Sequence, residues 1–457
     1  MKLKFYDKSK IDFNNLMFTG VDLRMLLIPA ILEQVLNSLM GMVDTIMVSN
    51  VGEAAISAVS LVDAINILVI QVFAALATGA TIICSQYIGN KDKKMCNKAA
   101  YQIVFTITVI SSVFALVCIL FRKIILQMVF GAVEADVMTA SITYFWITAL
   151  SFPMLALFSA GSSFYRACGD TKFPMKISVI SNLINIVGNF VLIFVFSMGV
   201  AGAALATLIS RAFGMIVIFA FLRLPKQDIV IEHYFSIKPD FHLIKKILAI
   251  GIPSGIENGM FQFGKLAIQS SVSTLGTTAI AAQAMTIIME GLSGMGGVGV
   301  GIAMMTVVGQ CIGAGRKEEA KYYIVKLTGI GEIVVAASCF IVFAMSRPVA
   351  ALGGMTVEGT KMFMEMMLAI TIVKPIVWAL SFVPSYGLRA AGDVKFSMIL
   401  SSVTMWACRV LLAVCLIRFA GFGPMAVWIG MFADWTLRAF AFTGRYFSGK
   451  WLDNKVI

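Results

Sequence analysis

The sequence contains an internal duplication whose two copies lie 224 residues apart. The matched positions are Pro29 and Pro253, Glu33 and Glu257, Gly52 and Gly276, Gly199 and Gly423, residues 85–89 (SQYIG) and 309–313 (GQCIG), and, in a register of 223, residues 166–173 (RACGDTKF) and 389–396 (RAAGDVKF). Because one pattern specifies one kind of packing, the chain is constrained to build two similar halves.

The composition places both halves in a membrane. Hydrophobic residues make up 59% of the 457 residues and charged residues 13%, with a mean hydropathy of +0.91. A soluble protein of this length could not bury so much apolar surface. Twelve stretches are long enough to span a bilayer as helices, at residues 24–48, 57–88, 98–121, 139–163, 173–196, 199–222, 246–273, 279–312, 322–345, 362–387, 396–417 and 424–446.

Each repeat contains six of these stretches. An even number returns the second repeat to the orientation of the first, which predicts a pseudo-two-fold axis along the membrane normal. The predicted fold is an all-α polytopic membrane protein with twelve transmembrane helices in two six-helix lobes. The predicted segments are an N-terminal segment (1–23), an N-lobe (24–222), a linker (223–245), a C-lobe (246–446) and a C-terminal tail (447–457).

The net charge of +12 follows the membrane topology. With a cytoplasmic N-terminus, 27 of the 36 Lys and Arg residues fall in cytoplasmic segments and 5 in external loops. This asymmetry is the positive-inside rule. It predicts a multi-pass protein of the cell membrane, with both termini in the cytoplasm, surrounded by lipid and without a nucleic-acid partner.

Motifs for enzymatic chemistry are missing from the sequence. There is no GxxxxGK[ST] or GxSxG, and the two histidines, His233 and His242, both fall in the linker. The eight cysteines are never spaced as CxxC. The chain is therefore predicted not to be an enzyme, to need no cofactor, and to use its cysteines for packing.

Several motifs together resemble the multidrug and toxic compound extrusion (MATE) family of secondary transporters. They are Val43-Asp44-Thr45-Ile46-Met47, the Gln-x-x-Gly endings of spans two and eight, the RxxGD turns after spans four and ten, and residues 199–207 (GVAGAALAT). The resemblance covers residues 20–446. It implies an antiporter that exports small organic and often cationic compounds against inward Na⁺ or H⁺. The two-lobed architecture needs no partner to form a complete cleft, so the chain is predicted to function as a monomer.

A cation-coupling site is predicted in the first repeat. Asp44 occupies the position that carries the coupling carboxylate in that family, and its counterpart in the second repeat is Ile268. By resemblance, Asn185, Asn189 and Thr207 join Asp44, and their oxygens could hold Na⁺. Opposite them stand Cys408, Leu412 and Met431. The alternatives are that Asp44 caps a break in its helix and that the asparagines join neighbouring helices.

Other charged residues within spans are candidates for a substrate cleft or a charge network, because charges are costly in a bilayer. Glu33 and Glu257 each follow a proline by one turn, and either face a central cleft or are paired within their own lobes. Lys265 or Lys374 is the predicted partner of Glu257. Glu290, Lys374 and Arg409 are predicted to form one network in the second lobe. Asp63, Glu332, Glu365 and Asp434 are predicted to be structural.

Three other functions compete with drug export. A lipid-linked oligosaccharide flippase of the same superfamily should line its cavity with cations for pyrophosphate, yet few cations lie within the spans. A membrane-embedded transferase should carry His/Asp or clustered Asp motifs, which are missing. A receptor or channel does not account for a duplicated set of spans that bear ionisable residues.

Overall fold

The computed structural model describes residues 5–49, 52–131, 134–225, 227–232, 238–454 and 456–457. The side chains of Met42, Asp44, Thr45, Val48, Ser49 and Glu53 lie outside that description. Fifteen α-helices cover most of the described chain: α1 Gly20–Ser49, α2 Glu53–Gly89, α3 Lys93–Leu120, α4 Arg122–Phe130, α5 Ala135–Leu150, α6 Phe152–Ala167, α7 Lys172–Asn189, α8 Gly199–Phe221, α9 Phe241–Val272, α10 Thr277–Gly313, α11 Lys317–Leu352, α12 Val357–Ala390, α13 Val394–Thr404, α14 Ala413–Ala420 and α15 Met425–Ser448. The described residues contain no strand.

The helices account for twelve spanning segments. Within the described residues, nine helical segments are long and apolar enough to cross a membrane, and α5 with α6 forms a further span bent by 40°. Helices α9 and α15 have 32 and 24 residues and complete the set. The predicted all-helical membrane fold with twelve spans is confirmed.

The described chain forms two compact units, and α1 and α9 are each divided between them. The first unit contains residues 1–35 and 256–457, and the second contains residues 36–255. The division falls inside α1, six residues after Pro29, and inside α9, two residues after Pro253. A proline inside a helix removes one backbone hydrogen bond and favours a bend. Both divisions therefore lie shortly after a position at which the helix bends easily. The lobe boundaries at 24–222 and 246–446 follow the chain instead, and stay a prediction.

The first part of α1 belongs to the core of the first unit. Leu23, Leu26 and Leu27 are buried together with side chains of α10, α11 and α12. The backbone of α1 also lies close to α10 at Gly299, where an added Cβ would lie 2.6 Å from the Cα atom of Ile31. Because the opposing atoms belong to the backbone, they cannot rotate away. A glycine is therefore required for this helix contact.

We expect the Gly299→Ala variant to lose about 1–3 kcal/mol of stability, the usual cost of overpacking a core. The matched control is Gly291→Ala on the same helix, where an added Cβ meets nothing within 4 Å. The control should be neutral or slightly stabilising, because alanine is the better helix former. Thermal unfolding of both variants in detergent measures the difference, and equal melting temperatures would contradict the close contact.

In the second unit, the first part of α9 packs against α2. An added Cβ at Gly79 would lie 3.5 Å from the backbone nitrogen of Gly251. The segment before α9 is held to α3: Gln102 donates to the Lys238 carbonyl at 2.8 Å, and Lys98 pairs with Asp240 at 2.6 Å. The hydrogen bond from Lys98 lowers the pKa of Asp240 below its ordinary value. These contacts fix the linker at the ends of α3 and α9.

Candidate functional site

A row of polar side chains lies along one face of α7 in the second unit. Ser178, Asn182, Asn185 and Asn189 follow each other at spacings of four, three and four residues. Because side chains three or four residues apart share a helix face, the row is continuous. Asn189 is buried, with 1% of its surface exposed, while Asn182 and Asn185 are half-buried.

The structure brings three of the four predicted cation-site residues together. The side-chain Nδ2 of Asn185 donates to the Thr207 hydroxyl on α8 at 3.2 Å, and the side-chain Nδ2 of Asn189 donates to Oδ1 of Asn185 at 3.4 Å. The Thr207 hydroxyl in turn donates to the Ala203 carbonyl at 3.0 Å. Two amides and a hydroxyl therefore form one connected cluster of oxygen-bearing groups between α7 and α8. We call these three residues the α7/α8 cluster.

Small residues bring α7 and α8 close enough for this contact. An added Cβ at Gly188 would lie 3.0 Å from Cβ of Ala206, and one at Gly202 would lie 3.0 Å from the carbonyl carbon of Leu192. Directly after Asn189, the helix continues as a π-helical turn over Phe190–Val195. Such turns are frequent at functional sites. The second repeat has a similar turn at Met405–Leu412, and sequence reasoning predicted neither of them.

Asn37 on α1 is a contact of α7 that sequence reasoning missed. Its side-chain oxygen accepts hydrogen bonds from Ser178 and from Asn182, both at 2.8 Å. Asp44 lies seven residues later within α1, and its side chain lies outside the described residues. A separation of seven residues places two positions on the same helix face. The seven-residue spacing could have placed Asn37 on the same face of α1 as Asp44, but it does not give the partners of Asn37 on α7.

Glu257 is paired within the first unit, as one of the two alternatives predicted. Its partner is Arg389, at 3.1 Å, and Ser397 donates to the other carboxylate oxygen at 3.4 Å. The prediction of Lys265 or Lys374 as that partner is wrong. Arg389 belongs to the RxxGD turn of the second repeat, so the shared motif supplies the counter-charge to a helix distant in sequence.

Lys374 is fully buried and forms an ion pair with Glu290 at 2.6 Å. Its ammonium also donates to the Glu290 carbonyl at 2.7 Å and to the Ser293 hydroxyl at 2.9 Å. The three hydrogen atoms of the ammonium thus each have an acceptor, which offsets the cost of burying the charge. This pair from the predicted network is present, but Arg409 belongs to a different cluster.

Arg409 pairs with Asp434 on α15. The Arg409–Asp434 distance is 2.6 Å, and Arg438 contacts the second carboxylate oxygen at 2.8 Å. Asp434 is 0% exposed, and both arginines are 3% exposed. The prediction of one network joining Arg409 to Glu290 and Lys374 is therefore wrong. The structure also buries Arg438, near the end of the last predicted span, where it donates to Thr404 and Ser401 on α13.

The two remaining candidates lie in the first unit. Glu33 is buried within α1, one turn after Pro29, with 4% of its surface exposed. The Lys265 ammonium lies 4.8 Å from the ring centroid of Phe261, a distance typical of a cation–π contact. Lys265 therefore has an aromatic neighbour, and the acid that acts on it electrostatically is Glu290 instead of Glu257, which pairs with Arg389.

Comparison with known proteins decides the family. The model of the MatE family matches residues 29–191 and 253–415, once in each repeat and together well over half of the chain. The chain belongs to the MATE family of transporters. The resemblance carried by the sequence motifs is thereby confirmed.

MATE relatives align with this chain over nearly its whole length. It is 27% identical to the transporter YisQ of Bacillus subtilis (strain 168), covering 93% of each chain. It is 26% identical to the probable multidrug resistance protein NorM of Thermotoga maritima, covering 94% of this chain and 93% of that protein. A solved structure, an outward-facing multidrug resistance MATE transporter of the MOP superfamily, superimposes with a TM-score of 0.88 at 20% identity, over 94% and 96% of the two chains.

Proposed function

We propose that this MATE transporter is an antiporter that exports organic cations in exchange for Na⁺ entering the cell. The names of its relatives, probable multidrug resistance proteins, support the export of drugs or toxic compounds. The observation that carries the ion assignment is the α7/α8 cluster. Its amide and hydroxyl oxygens are hard ligands of the kind that small hard cations prefer.

We propose that Asp44 on α1 joins this cluster, and the register between α1 and α7 supports this. Asn37 on α1 is level with Asn182 on α7 through their hydrogen bond. Asp44 and Asn189 each lie seven residues further on, about 10.5 Å along a helix axis. In the predicted topology the first and fifth spans cross the membrane in the same direction, which supports a similar depth for positions 44 and 189. In this proposal Asp44 supplies the negative charge, and Asn185, Asn189 and Thr207 supply neutral oxygens.

Coupling follows from the division of α1. Residues 20–35 of this helix pack in the first unit and residues 36–49 belong to the second, with Pro29 near the division. Cation binding to the second part of α1 would favour one curvature of the helix. An ion drives transport only when it binds two conformations with different affinity. We propose that bending of α1 supplies this difference during alternating access.

The deciding experiment is export of ethidium from proteoliposomes under separately imposed gradients. An inward Na⁺ gradient at equal pH should drive export, and a pH gradient without Na⁺ should drive it far less. Export driven by the pH gradient alone would identify H⁺ instead of Na⁺ as the coupling ion, and the proposal of an antiporter would still stand. No export under either gradient would contradict the proposal itself.

The proposed orientation places both termini of this cell-membrane protein in the cytoplasm. Labelling of single cysteines placed at the termini tests it.

The relatives give no support to the lipid-linked oligosaccharide flippase. Within the described residues of the first unit, three span cations, Lys374, Arg409 and Arg438, contact acidic side chains. The fourth, Lys265, lies beside the Phe261 ring and interacts electrostatically with Glu290. A pyrophosphate substrate needs cations that are available to it.

We expect the Asn189→Ala variant to raise the Na⁺ concentration for half-maximal export about tenfold, since one lost polar ligand costs about 1–1.5 kcal/mol. The matched control is Asn97→Ala, which removes an amide that accepts from the Val230 backbone at 3.0 Å, outside the cluster. The control should keep the Na⁺ dependence of the unaltered protein. A Na⁺ dependence that is the same in both variants would exclude Asn189 as a ligand.

A further inference from the structure

A cavity of about 300 Å³ lies within the first unit, between α11, α12 and α15. This volume is at the lower end of the range of small-molecule sites, roughly 300–1,000 Å³. Its walls are almost entirely apolar, and Thr328, Pro384 and Phe442 contribute one side chain from each helix. The cavity belongs to neither the α7/α8 cluster nor the ion pairs described above.

Glu332 is the one charged side chain among the described residues that line this cavity. Its Oε2 atom is buried and has no hydrogen-bond partner in the described structure. Buried polar atoms are nearly always hydrogen-bonded, so an orphaned carboxylate oxygen in an apolar cavity needs an explanation. The prediction that Glu332 is merely structural gives none, because the side chain supports no neighbour through this atom.

The position of Glu332 along α11 increases the need for a counter-charge. It lies fifteen residues beyond Lys317 in a 36-residue helix, about 22 Å along the axis. That depth is near the middle of a membrane-spanning helix, where an unpaired charge is costly. A ligand that brings a positive charge and an apolar body would satisfy both the carboxylate and the walls.

The cavity is open on one side and closed on another. Gly329, Leu380 and Thr443 line it and are exposed at the surface of the unit, so a ligand can enter between them. Phe5 of the N-terminal segment also lines it. The Phe5 carbonyl accepts a hydrogen bond from the Tyr446 hydroxyl at 2.5 Å, and the N-terminal segment therefore forms part of the wall.

We propose that this cavity binds a lipophilic monoamine, with the ammonium paired to Glu332 and the apolar body between α11, α12 and α15. The site is additional to the proposed antiport function and does not depend on it. Charge complementarity favours an amine over a neutral lipid chain, because only the amine offers the Glu332 carboxyl group an ion pair in these apolar surroundings.

Equilibrium binding of tritiated 1-aminoadamantane to the purified full-length protein in lipid nanodiscs tests this site. We expect saturable binding, and a loss of affinity of at least about tenfold in the Glu332→Gln variant, which removes a charge-assisted hydrogen bond. The matched control is Glu365→Gln on α12, an exposed acid outside the cavity. The neutral isostere 1-adamantanol should fail to displace the amine.

Two further variants locate the bound amine. Thr443→Trp fills the cavity from its mouth and should abolish binding even if Glu332→Gln misfolds. Asp44→Asn, in the proposed cation site, should leave the binding unchanged. Equal displacement by the amine and by 1-adamantanol would overturn the proposal in favour of a neutral apolar site. Loss of binding in Asp44→Asn, with retention in Glu332→Gln, would overturn it by placing the amine elsewhere.

Discussion

Na⁺-driven export of ethidium should fall to the level of protein-free vesicles in the Asp44→Asn variant. Asp44 supplies the only carboxylate of the proposed cation site, and asparagine keeps its shape without its charge. The neutral oxygens of Asn185, Asn189 and Thr207 cannot compensate, because a cation taken from water into a span needs an opposite charge nearby. In the proposed coupling, neither curvature of α1 is favoured without a bound cation, so the ion gradient would do no work on the substrate.

The measurement compares initial export rates in proteoliposomes that contain equal amounts of folded protein. Asp136→Asn is the matched control, since it makes the same change at an exposed position in the first turn of α5. We expect the control to export at the unaltered rate. Binding of ethidium without a gradient should persist in Asp44→Asn, and full export by this variant would exclude Asp44 as the coupling residue.

The largest loss of stability should follow replacement of Asp434 by asparagine. The carboxylate lies between two guanidiniums, at 2.6 Å from Arg409 and 2.8 Å from Arg438, in surroundings from which water is excluded. Removing one partner of a buried ion pair costs about 3–5 kcal/mol, because it leaves an uncompensated charge. Here two like charges would remain, and they would also repel each other.

Thermal unfolding in detergent measures this loss, with Asp453→Asn at an exposed C-terminal position as the control. Arg409→Met provides the sharper comparison, because it removes one cation and leaves the neutral pair of Asp434 and Arg438. We therefore expect Arg409→Met to be less destabilising than Asp434→Asn. The reverse order would show that packing of the side chains, rather than charge balance, determines the stability of this cluster.

The number of spans could be predicted because it depends on local composition. Apolar runs of sufficient length specify membrane helices wherever they occur. The duplication supports the number of spans, because each repeat contains six of these runs. Arg438 shows the limit of that reasoning. Near the end of a span, an arginine that reaches water and one that is buried look the same in sequence. Only packing of α13 against α15 decides between them.

The candidate site was predictable to the extent that its residues share one helix. Asn185 and Asn189 stand four residues apart, and their common face follows from helix geometry. The pairing of Asn37 with Ser178 and Asn182 depends on the register between two distant helices, which spacing does not give. The π-helical turns likewise depend on how the following helix packs. The predicted partners of charged groups were wrong for the same reason, since Glu257 pairs with Arg389, which is 132 residues away in the sequence.

The exchange of helix segments between the two compact units has a consequence for biosynthesis. Residues 20–35 are synthesised before the second unit, yet the unit to which they belong is completed by residues 256–457, which are synthesised after it. The second unit becomes complete as soon as residue 255 has been made. Since domains generally fold as units during synthesis, the nascent chain must keep its first helix half-packed while the rest of the first unit is inserted. For the same reason, a chain cut within the linker would yield two fragments, neither of which contains a whole unit.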